Sequence, residues 1–317
     1  MVFLHPLNMQ PLVSIGIPCY NAEQWIAASV QSALDQTWPH KEVIVVDDGS
    51  TDGTLAILEK FRDAIRMERA SHGGANRARN LILKAARGEW LQYVDADDYL
   101  RADKVARQFT EAGNPDDADA IYSPILKEHW LDSHPEPLVA EPIDSDSDIY
   151  TQFLRWQLPQ TSGTLWRRDV LEGIGGWDEN PAQLCDEHDC YFRALKSSRR
   201  FVFAPTPNAV YRIWSEATRS HSNQQPVIFS RTALCEALRD WLRARGEWTP
   251  AHEEALGRSL LEMARKLASE DLSLACRYQA PRKADIRLDG PAAPESYRRV
   301  YRTLGFRAAE VLARLLR

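Results

Sequence analysis

Two groups of aspartates lie directly after short apolar segments in the N-terminal half of the chain. Asp47 and Asp48 end the run EVIVVDD, and Asp95, Asp97 and Asp98 follow WLQYV. In open α/β sheets ligands bind beyond the carboxyl ends of the strands, so both groups are expected at one edge. Carboxylates that meet there repel each other unless a cation lies between them. The pattern therefore predicts a Mg²⁺ or Mn²⁺ ion with a diphosphate, although aspartates are also ordinary turn residues.

Further carboxylates lie near the predicted start of a later helix. Asp186 and Glu187 are adjacent there, where the helix dipole stabilises negative charge. Asp189 precedes Arg193 by four residues, which is the spacing of an ion pair within one helix.

Alternating strands and helices must position these side chains. Apolar β-branched runs predict strands at 13–18, 42–48, 65–70, 90–94 and 118–122. Apolar residues at helical spacing predict helices at 22–36, 75–86 and 102–112. This alternation indicates an α/β fold with a mostly parallel sheet covered by helices. The first strand ends without the GxGxxG turn of a dinucleotide-binding fold, so a dehydrogenase is disfavoured.

The remaining segments have a different pattern. Residues 127–149 are rich in Pro, Asp, Glu and Ser, which predicts a long surface loop or a small insertion. Helices are predicted at 226–245, 250–270 and 295–317, with a Pro- and Gly-containing break at 280–294. The chain is therefore expected to end in a helical region.

Composition excludes several classes of protein. The net charge of −6 disfavours a nucleic-acid-binding protein, which needs a basic surface to displace counterions. The five cysteines show no CxxC or zinc-ligand spacing, which favours reduced thiols in the cytosol. The start MVFLHPLNMQ does not resemble a signal peptide, and no apolar run approaches the roughly 20 residues of a membrane span. These features predict a cytoplasmic protein.

Four motifs together resemble those of one enzyme family. They are P-x-Y-N at Pro18–Asn21, VVDDGSTDGT at Val45–Thr54, G-x-x-x-A-R-N at Gly74–Asn80, and GEWLQYVDADD at Gly88–Asp98. Their order and spacing closely resemble family 2 glycosyltransferases of the GT-A fold. A weaker resemblance continues through LWRRDVLEGIGGWDE, DEHDCYFR and YRIWS, so that it covers residues 11 to 220.

The resemblance implies a fold and a division of the chain. The expected fold is GT-A, a Rossmann-like, mostly parallel sheet flanked by helices, with a C-terminal helical extension. The transferase domain is expected at 1–225, with a nucleotide-binding half at about 11–125 and an acceptor half at about 148–220. The C-terminal helical region is expected at 226–317.

The resemblance also implies roles for individual residues. Those expected to bind the nucleotide are Pro18, Tyr20, Asn21, Asp47, Asp48, Arg79, Asn80, Asp95 and Ala96. Within this set, Asp48 with Asp47 would accept a hydrogen bond from the nucleobase. Asp95 would contact the ribose or the metal, and Asp97 would ligate the Mn²⁺ or Mg²⁺ ion that bridges the diphosphate.

Two departures from the family pattern leave alternatives open. Family members usually carry Glu-Asp ahead of an Arg, with the Asp as base, whereas this chain has Asp186-Glu187 ahead of Arg193. Glu187 is favoured by spacing, and Asp186 competes by residue type. Family members often place a His near the metal, where this chain has Trp214, and His221 further on is a second candidate metal ligand.

The function implied is inverting transfer of a sugar from a nucleotide-diphosphate sugar, such as a UDP-sugar, to an acceptor hydroxyl. The acceptor would be a glycan or a lipid-linked glycan in cell-surface polysaccharide or glycolipid biosynthesis. A sugar-phosphate nucleotidyltransferase is one alternative, but its Gly-rich basic loop is absent. A non-catalytic nucleotide-sugar-binding module is another, disfavoured by Asp95, Asp97 and Glu187.

The last predicted helix, 295–317, combines six arginines with apolar residues at helical spacing. A basic amphipathic helix can lie on an anionic membrane, which would place the enzyme peripherally at the inner face. The alternatives are a helix packed on the catalytic domain and a contact within a homodimer.

Overall fold

The computed structural model describes residues 10–113, 117–131, 134–180, 182, 184–197, 200–214 and 224–316. The chain divides into two compact units. The first is formed by 1–145 with 158–216, and the second by 146–157 with 217–317.

All of the strands described belong to the first unit. They are β1 Val13–Cys19, β2 Lys41–Asp47, β3 Arg66–Arg69, β4 Trp90–Tyr93, β5 Tyr99–Leu100, β6 Ala120–Tyr122, β7 Ile125–Leu131, β8 His134–Pro135, β9 Val139–Glu141, β10 Thr164–Arg167, β11 Phe201–Phe203 and β12 Ala209–Ile213. The helices are α1 Ile26–Leu34, α2 Thr54–Leu58, α3 Ala75–Ala85, α4 Lys104–Ala112, α5 Ile149–Leu154, α6 Arg168–Gly173, α7 Asp186–Ser197, α8 Gln224–Ala244, α9 Pro250–Glu270, α10 Leu272–Gln279 and α11 Glu295–Leu315. The second unit contains α5 and α8 to α11.

The larger sheet has the strand order β11-β6-β10-β4-β1-β2-β3. β1 pairs in parallel with both β2 and β4, and β2 pairs in parallel with β3. β10 runs antiparallel to β4 and β6. The predicted mostly parallel sheet is confirmed. Because β4, β1 and β2 are parallel neighbours, the loops that follow them lie at one edge of the sheet.

Both faces of β1 are buried, as expected for the centre of a parallel sheet. Val13, Ile15 and Ile17 belong to the main apolar core. On the opposite face, Gly16 allows α3 to approach closely, because a Cβ atom there would lie 2.3 Å from Cγ2 of Ile82. The side-chain alternation along one strand therefore fixes the positions of helices on two sides.

A smaller sheet has the order β5-β12-β7-β8, with β9 paired to β7. Residues 127–131 continue β7, so the predicted surface loop is wrong there, whereas the alternative of a small insertion is not contradicted. The polar residues of this strand make its sequence resemble a loop, but they pair with residues of neighbouring strands. Lys127 Nζ lies 2.8 Å from Glu141, and Arg212 Nε lies 3.2 Å from Glu128. Such cross-strand pairs stabilise a sheet, although the charged residues that form them are also common in loops.

The second unit is helical, as the sequence predicts from residue 226. Leu256, Leu260 and Ala264 are buried at four-residue spacing along α9. The helix predicted at 295–317 is interrupted, because Gly305 has φ 82° and divides α11 into two segments. No helix in the described part of the chain is long and apolar enough to cross a membrane.

Candidate active site

The loop after β2 is tied to the residues that precede α3. The Asp48 carboxylate accepts the backbone N–H of Gly73 at 2.9 Å and that of Gly74 at 2.8 Å. The Nδ1 atom of His72 lies 2.9 Å from Oδ2 of the same carboxylate. Gly74 has φ 95°, which glycine adopts without strain. Asp48 therefore orders the loop 72–74, and its contact with a nucleobase stays a prediction.

Asn21 connects the loop after β1 to the loop after β2. Its Oδ1 atom accepts the N–H of Thr51 at 2.8 Å, and its own N–H donates to Ser50 Oγ at 3.0 Å. Asn21 has φ 47°, which asparagine tolerates better than most residues. Asp47 is fully buried and accepts the Ser50 N–H at 3.2 Å, while Pro18 is a buried residue of β1. Asn21 and Asp47 thus shape the edge at which the predicted nucleotide would bind.

Tyr20 presents the aromatic surface of this edge. Its side chain is 45% exposed, and its ring stacks on His72 with centroids 4.1 Å apart and planes 26° apart. Stacked aromatic rings of this kind can support a nucleobase. Sequence reasoning missed His72, although its place directly before the glycines bound by Asp48 is a usable signal.

Arg79 connects the aspartate after β4 with the carboxylate of α7. Its buried guanidinium donates to Asp95 Oδ1 at 2.7 Å and lies 3.5 Å from Thr161 Oγ1. Thr161 in turn donates to Glu187 Oε1 at 2.9 Å. Four side chains from distant parts of the sequence therefore form one continuous polar chain. Of the two candidate bases, Glu187 is the one joined to it through Thr161.

The charged groups of this polar chain of side chains shift the pKa values of Glu187 and Arg79. Burial raises the pKa of Glu187 above its ordinary value, Arg79 opposes this increase, and Asp186 adds to it. Burial alone would lower the pKa of Arg79, but the carboxylates of Asp95 and Glu187 more than compensate and raise it. Arg79 therefore stays cationic. A glutamate with a raised pKa is better matched to proton transfer near neutral pH.

The aspartates after β4 carry excess negative charge. Burial and the neighbouring Asp95 raise the pKa of Asp97, and burial and Asp97 raise that of Asp98 well above its usual range. The Asp97 Oδ2 atom accepts the indole N–H of Trp214 at 3.1 Å, and Asp98 accepts the backbone N–H of Arg212 at 2.9 Å. Such crowding of carboxylates would be relieved by a cation.

The donor set fits a metal held jointly with a substrate. Within the described residues no group of three or more His, Cys, Asp or Glu side chains is arranged to hold a metal ion. Mg²⁺ usually takes only one or two carboxylates together with substrate phosphates. Asp95 and Asp97 meet that requirement, whereas an ion bound by protein ligands alone is not expected. The second candidate ligand, His221, lies outside the described residues.

Two further residues that are predicted to bind the nucleotide, Asn80 and Ala96, are hydrogen-bonded and buried, respectively. Asn80 Oδ1 accepts the N–H of Trp177 at 2.8 Å, and its Nδ2 donates to Glu179 at 2.7 Å. These residues line a cavity of about 410 Å³ together with Asp189 and Arg193. The predicted ion pair between Asp189 and Arg193 is confirmed, with an N–O distance of 2.8 Å. Ala96, which lies between Asp95 and Asp97 in the sequence, is also buried.

Comparison with known proteins identifies the family. The model of the family described as glycosyl transferase family 2 matches residues 14–169, which contain the four N-terminal motifs. EpsJ of Bacillus subtilis, described as an uncharacterized glycosyltransferase, is 40% identical over 238 residues, covering 68% of this chain and 68% of EpsJ. This chain is a family 2 glycosyltransferase. The predicted enzyme class is thus confirmed.

A curated relative matches a shorter segment of the glycosyltransferase in sequence, and a solved structure matches its fold. WfaP of Escherichia coli, a UDP-Glc:alpha-D-GlcNAc-diphosphoundecaprenol beta-1,3-glucosyltransferase, is 42% identical over 99 residues, 31% of this chain and 39% of WfaP. The glycosyltransferase also spans 42% or less of several other curated relatives. The structure of S. aureus TarS 1–349 in complex with UDP-GlcNAc aligns with a TM-score of 0.57 and 18% identity, covering 91% of this chain and 92% of TarS. The predicted GT-A fold is confirmed.

Proposed function

We propose that this glycosyltransferase transfers a sugar from a UDP-sugar to a hydroxyl of a lipid-linked glycan, with inversion at the anomeric carbon. The proposed setting is cell-surface polysaccharide biosynthesis at the cytoplasmic face of the membrane, by a monomer or a homodimer. The name of WfaP supports both the donor and the lipid-linked acceptor, and the TarS complex supports the donor. The catalytic residues are assigned to the first unit.

One observation carries this proposal. The motif aspartate Asp95 and the candidate base Glu187 are linked through Arg79 and Thr161, with contacts of 2.7, 3.5 and 2.9 Å. A transferase needs its donor and its base within reach of one reacting carbon, because positioning supplies much of the rate. A non-catalytic binding module has no need for a carboxylate held in this way.

Each residue has a separate role in the proposed reaction. Asp97, with Asp95, would hold the divalent metal, which supplies positive charge to the diphosphate when bound. Thr161 engages Oε1 of Glu187, so that Oε2 is available to accept the proton of the acceptor hydroxyl. Attack from the side opposite the diphosphate displaces it in one step and inverts the anomeric centre. Asp186 remains the alternative base.

Donor binding is the experiment that tests this proposal. UDP, GDP and CDP would be screened by thermal shift with and without Mn²⁺, since a ligand that binds the folded state raises its apparent stability. We expect the largest increase with UDP and Mn²⁺, and we expect Asp97→Ala to abolish the Mn²⁺-dependent part without lowering the ligand-free melting temperature. Stabilisation by none of the three nucleotides would contradict the proposal.

The reaction products distinguish the proposed enzyme from a nucleotidyltransferase. Slow hydrolysis of a UDP-sugar without acceptor should release UDP and free sugar. Formation of pyrophosphate from UTP and a sugar phosphate would instead assign the chain to nucleotide-sugar synthesis.

A further inference from the structure

The second half of α11, together with the Leu316 that follows it, forms the segment 306–316, which has one face packed within its own unit. Phe306 and Ala309 are 5% and 2% exposed. Glu310, beside them, is buried and accepts hydrogen bonds from Arg265 Nε at 2.9 Å and from the Tyr297 hydroxyl at 2.7 Å. This face is therefore fixed by apolar contacts and by a buried ion pair. It anchors the helix and determines which side chains point outward.

The opposite face of the same segment is apolar and exposed. Val311, Leu312 and Leu315 are 41%, 39% and 76% exposed, and Ala308 precedes them at helical spacing. Residues three, four and seven positions apart lie on one side of a helix, so these side chains form a continuous stripe. Leu316 extends it with 81% exposure. Exposed leucines in a row on a folded protein indicate a surface that binds something apolar.

Arginines border this stripe on one side. Arg307 and Arg314 are seven residues apart, which places them on the same side of the helix next to Val311. Both are exposed, and neither has a carboxylate partner within the described part of the chain. Glu310 does not offset their charge at the surface, because it is buried against Arg265. The exposed face is thus apolar along its centre and cationic along its edge.

We propose that residues 306–316 form a docking surface for an anionic phospholipid membrane. An apolar stripe bordered by arginines matches a bilayer interface, in which acyl chains lie beneath negatively charged headgroups. A second copy of the chain fits less well, since a two-fold contact would bring the same cationic patch against itself. The inference rests on the proposed function for its purpose, because a membrane-bound enzyme meets a lipid-linked acceptor directly. The binding itself can be measured without any transfer reaction.

The first test changes the apolar stripe in the full-length protein. Co-sedimentation is measured with phosphatidylcholine vesicles and with vesicles containing roughly one-third phosphatidylglycerol. Wild type should bind the anionic vesicles and not the neutral ones. The double variant Leu312→Asp and Leu315→Asp should bind the anionic vesicles at least about tenfold more weakly, because charged side chains replace the leucines that would enter the bilayer. Leu138→Asp with Val139→Asp, at two adjacent residues of the other unit that are 39% and 59% exposed, is the matched double control and should bind like wild type.

The second test changes the charge. Each arginine near an anionic surface contributes about fivefold to binding, so Arg307→Gln with Arg314→Gln should weaken it by about 25-fold. Lys60→Gln with Arg62→Gln removes the same charge at exposed positions of the first unit and should have little effect. Raising the salt concentration should weaken the wild type more than the arginine variant.

Three results would overturn the proposal. They are absence of wild-type binding to anionic vesicles, equal binding by the leucine variant, and a wild-type dimer that this variant dissociates in light scattering. The third result would assign the stripe to a second copy. Transfer to a water-soluble acceptor fragment should be unchanged in all of these variants. A wild type that binds vesicles but transfers no sugar would contradict the proposed function and leave the membrane surface intact.

Discussion

The Thr161 hydroxyl offers the sharpest test of the polar chain that links donor and base. Thr161→Val keeps the shape of the side chain and removes the donor that lies 2.9 Å from Glu187. A hydrogen bond to a charged group contributes about 1.5–3 kcal/mol, and each 1.4 kcal/mol corresponds to about tenfold in rate. The largest expected loss in kcat is therefore about 150-fold. We expect about tenfold, because Arg79 still attracts the carboxylate.

The pH dependence separates this role from a general loss of structure. The Thr161 hydroxyl favours the charged form of Glu187, so its removal should raise a pKa that burial already raises. A general base acts in its deprotonated form, and a higher pKa therefore moves the acidic limb of the rate profile to higher pH. The deficit of Thr161→Val should be largest below that pKa and smallest above it. UDP release measured across pH, with kcat and donor KM separated, reports this shift.

The matched control is Thr161→Ser, which keeps the hydroxyl and should restore most of kcat and the original pH profile. Donor KM should change little in both variants, since the hydroxyl bonds to the base. A valine variant with the wild-type rate and profile would refute the reasoning. So would a serine variant as impaired as valine with an equally lowered melting temperature, because the position would then be structural only.

Two other predictions concern the metal site and the sheet. Trp214→Phe removes the indole N–H that Asp97 Oδ2 accepts, so Mn²⁺ should bind the enzyme saturated with UDP about two- to tenfold more tightly in a spin-resonance titration. Unchanged or weaker Mn²⁺ binding by this variant would contradict the prediction. Gly88→Ala places a Cβ atom 2.6 Å from the backbone N of Ser14 and should destabilise by about 1–3 kcal/mol. Gly173→Ala meets nothing within 4 Å and should melt like wild type, and identical melting curves for both variants would argue against the close packing.

The edge that carries the site could be predicted because local patterns determine it. Buried β-branched runs specify parallel strands, and parallel strands bring their carboxyl ends together. Aspartates directly after two such runs are then expected at the same edge of the sheet, and β2 and β4 do flank β1. No long-range information was required for this step.

The polar chain through Arg79 could not be predicted in the same way. Thr161 lies 82 residues from Arg79 and 26 residues from Glu187 in sequence. Spacing along the chain says nothing about contacts over such separations, and threonine is common in turns. Only the antiparallel insertion of β10 beside β4 brings the Thr161 segment to this edge.

Two errors in the secondary structure have similar causes. β7 carries charged residues whose partners lie on other strands, so its composition resembles that of a loop. In α11 the apolar spacing continues across Gly305, and periodicity alone does not reveal a residue with φ 82°. Glycine in a helical pattern signals such a break only when the backbone requires a positive φ.

Replacement of Glu187 tests the central claim most directly. Glu187→Gln keeps the side-chain shape and removes the ability to take a proton, with Asp186→Asn as the neighbouring control. Transfer by Glu187→Gln should fall by at least about a hundredfold, within the range of general-base effects, while affinity for UDP-sugar and Mn²⁺ is retained. Asp186→Asn should lose much less. A loss below about tenfold for Glu187→Gln, or a larger loss for Asp186→Asn, would contradict Glu187 as the base.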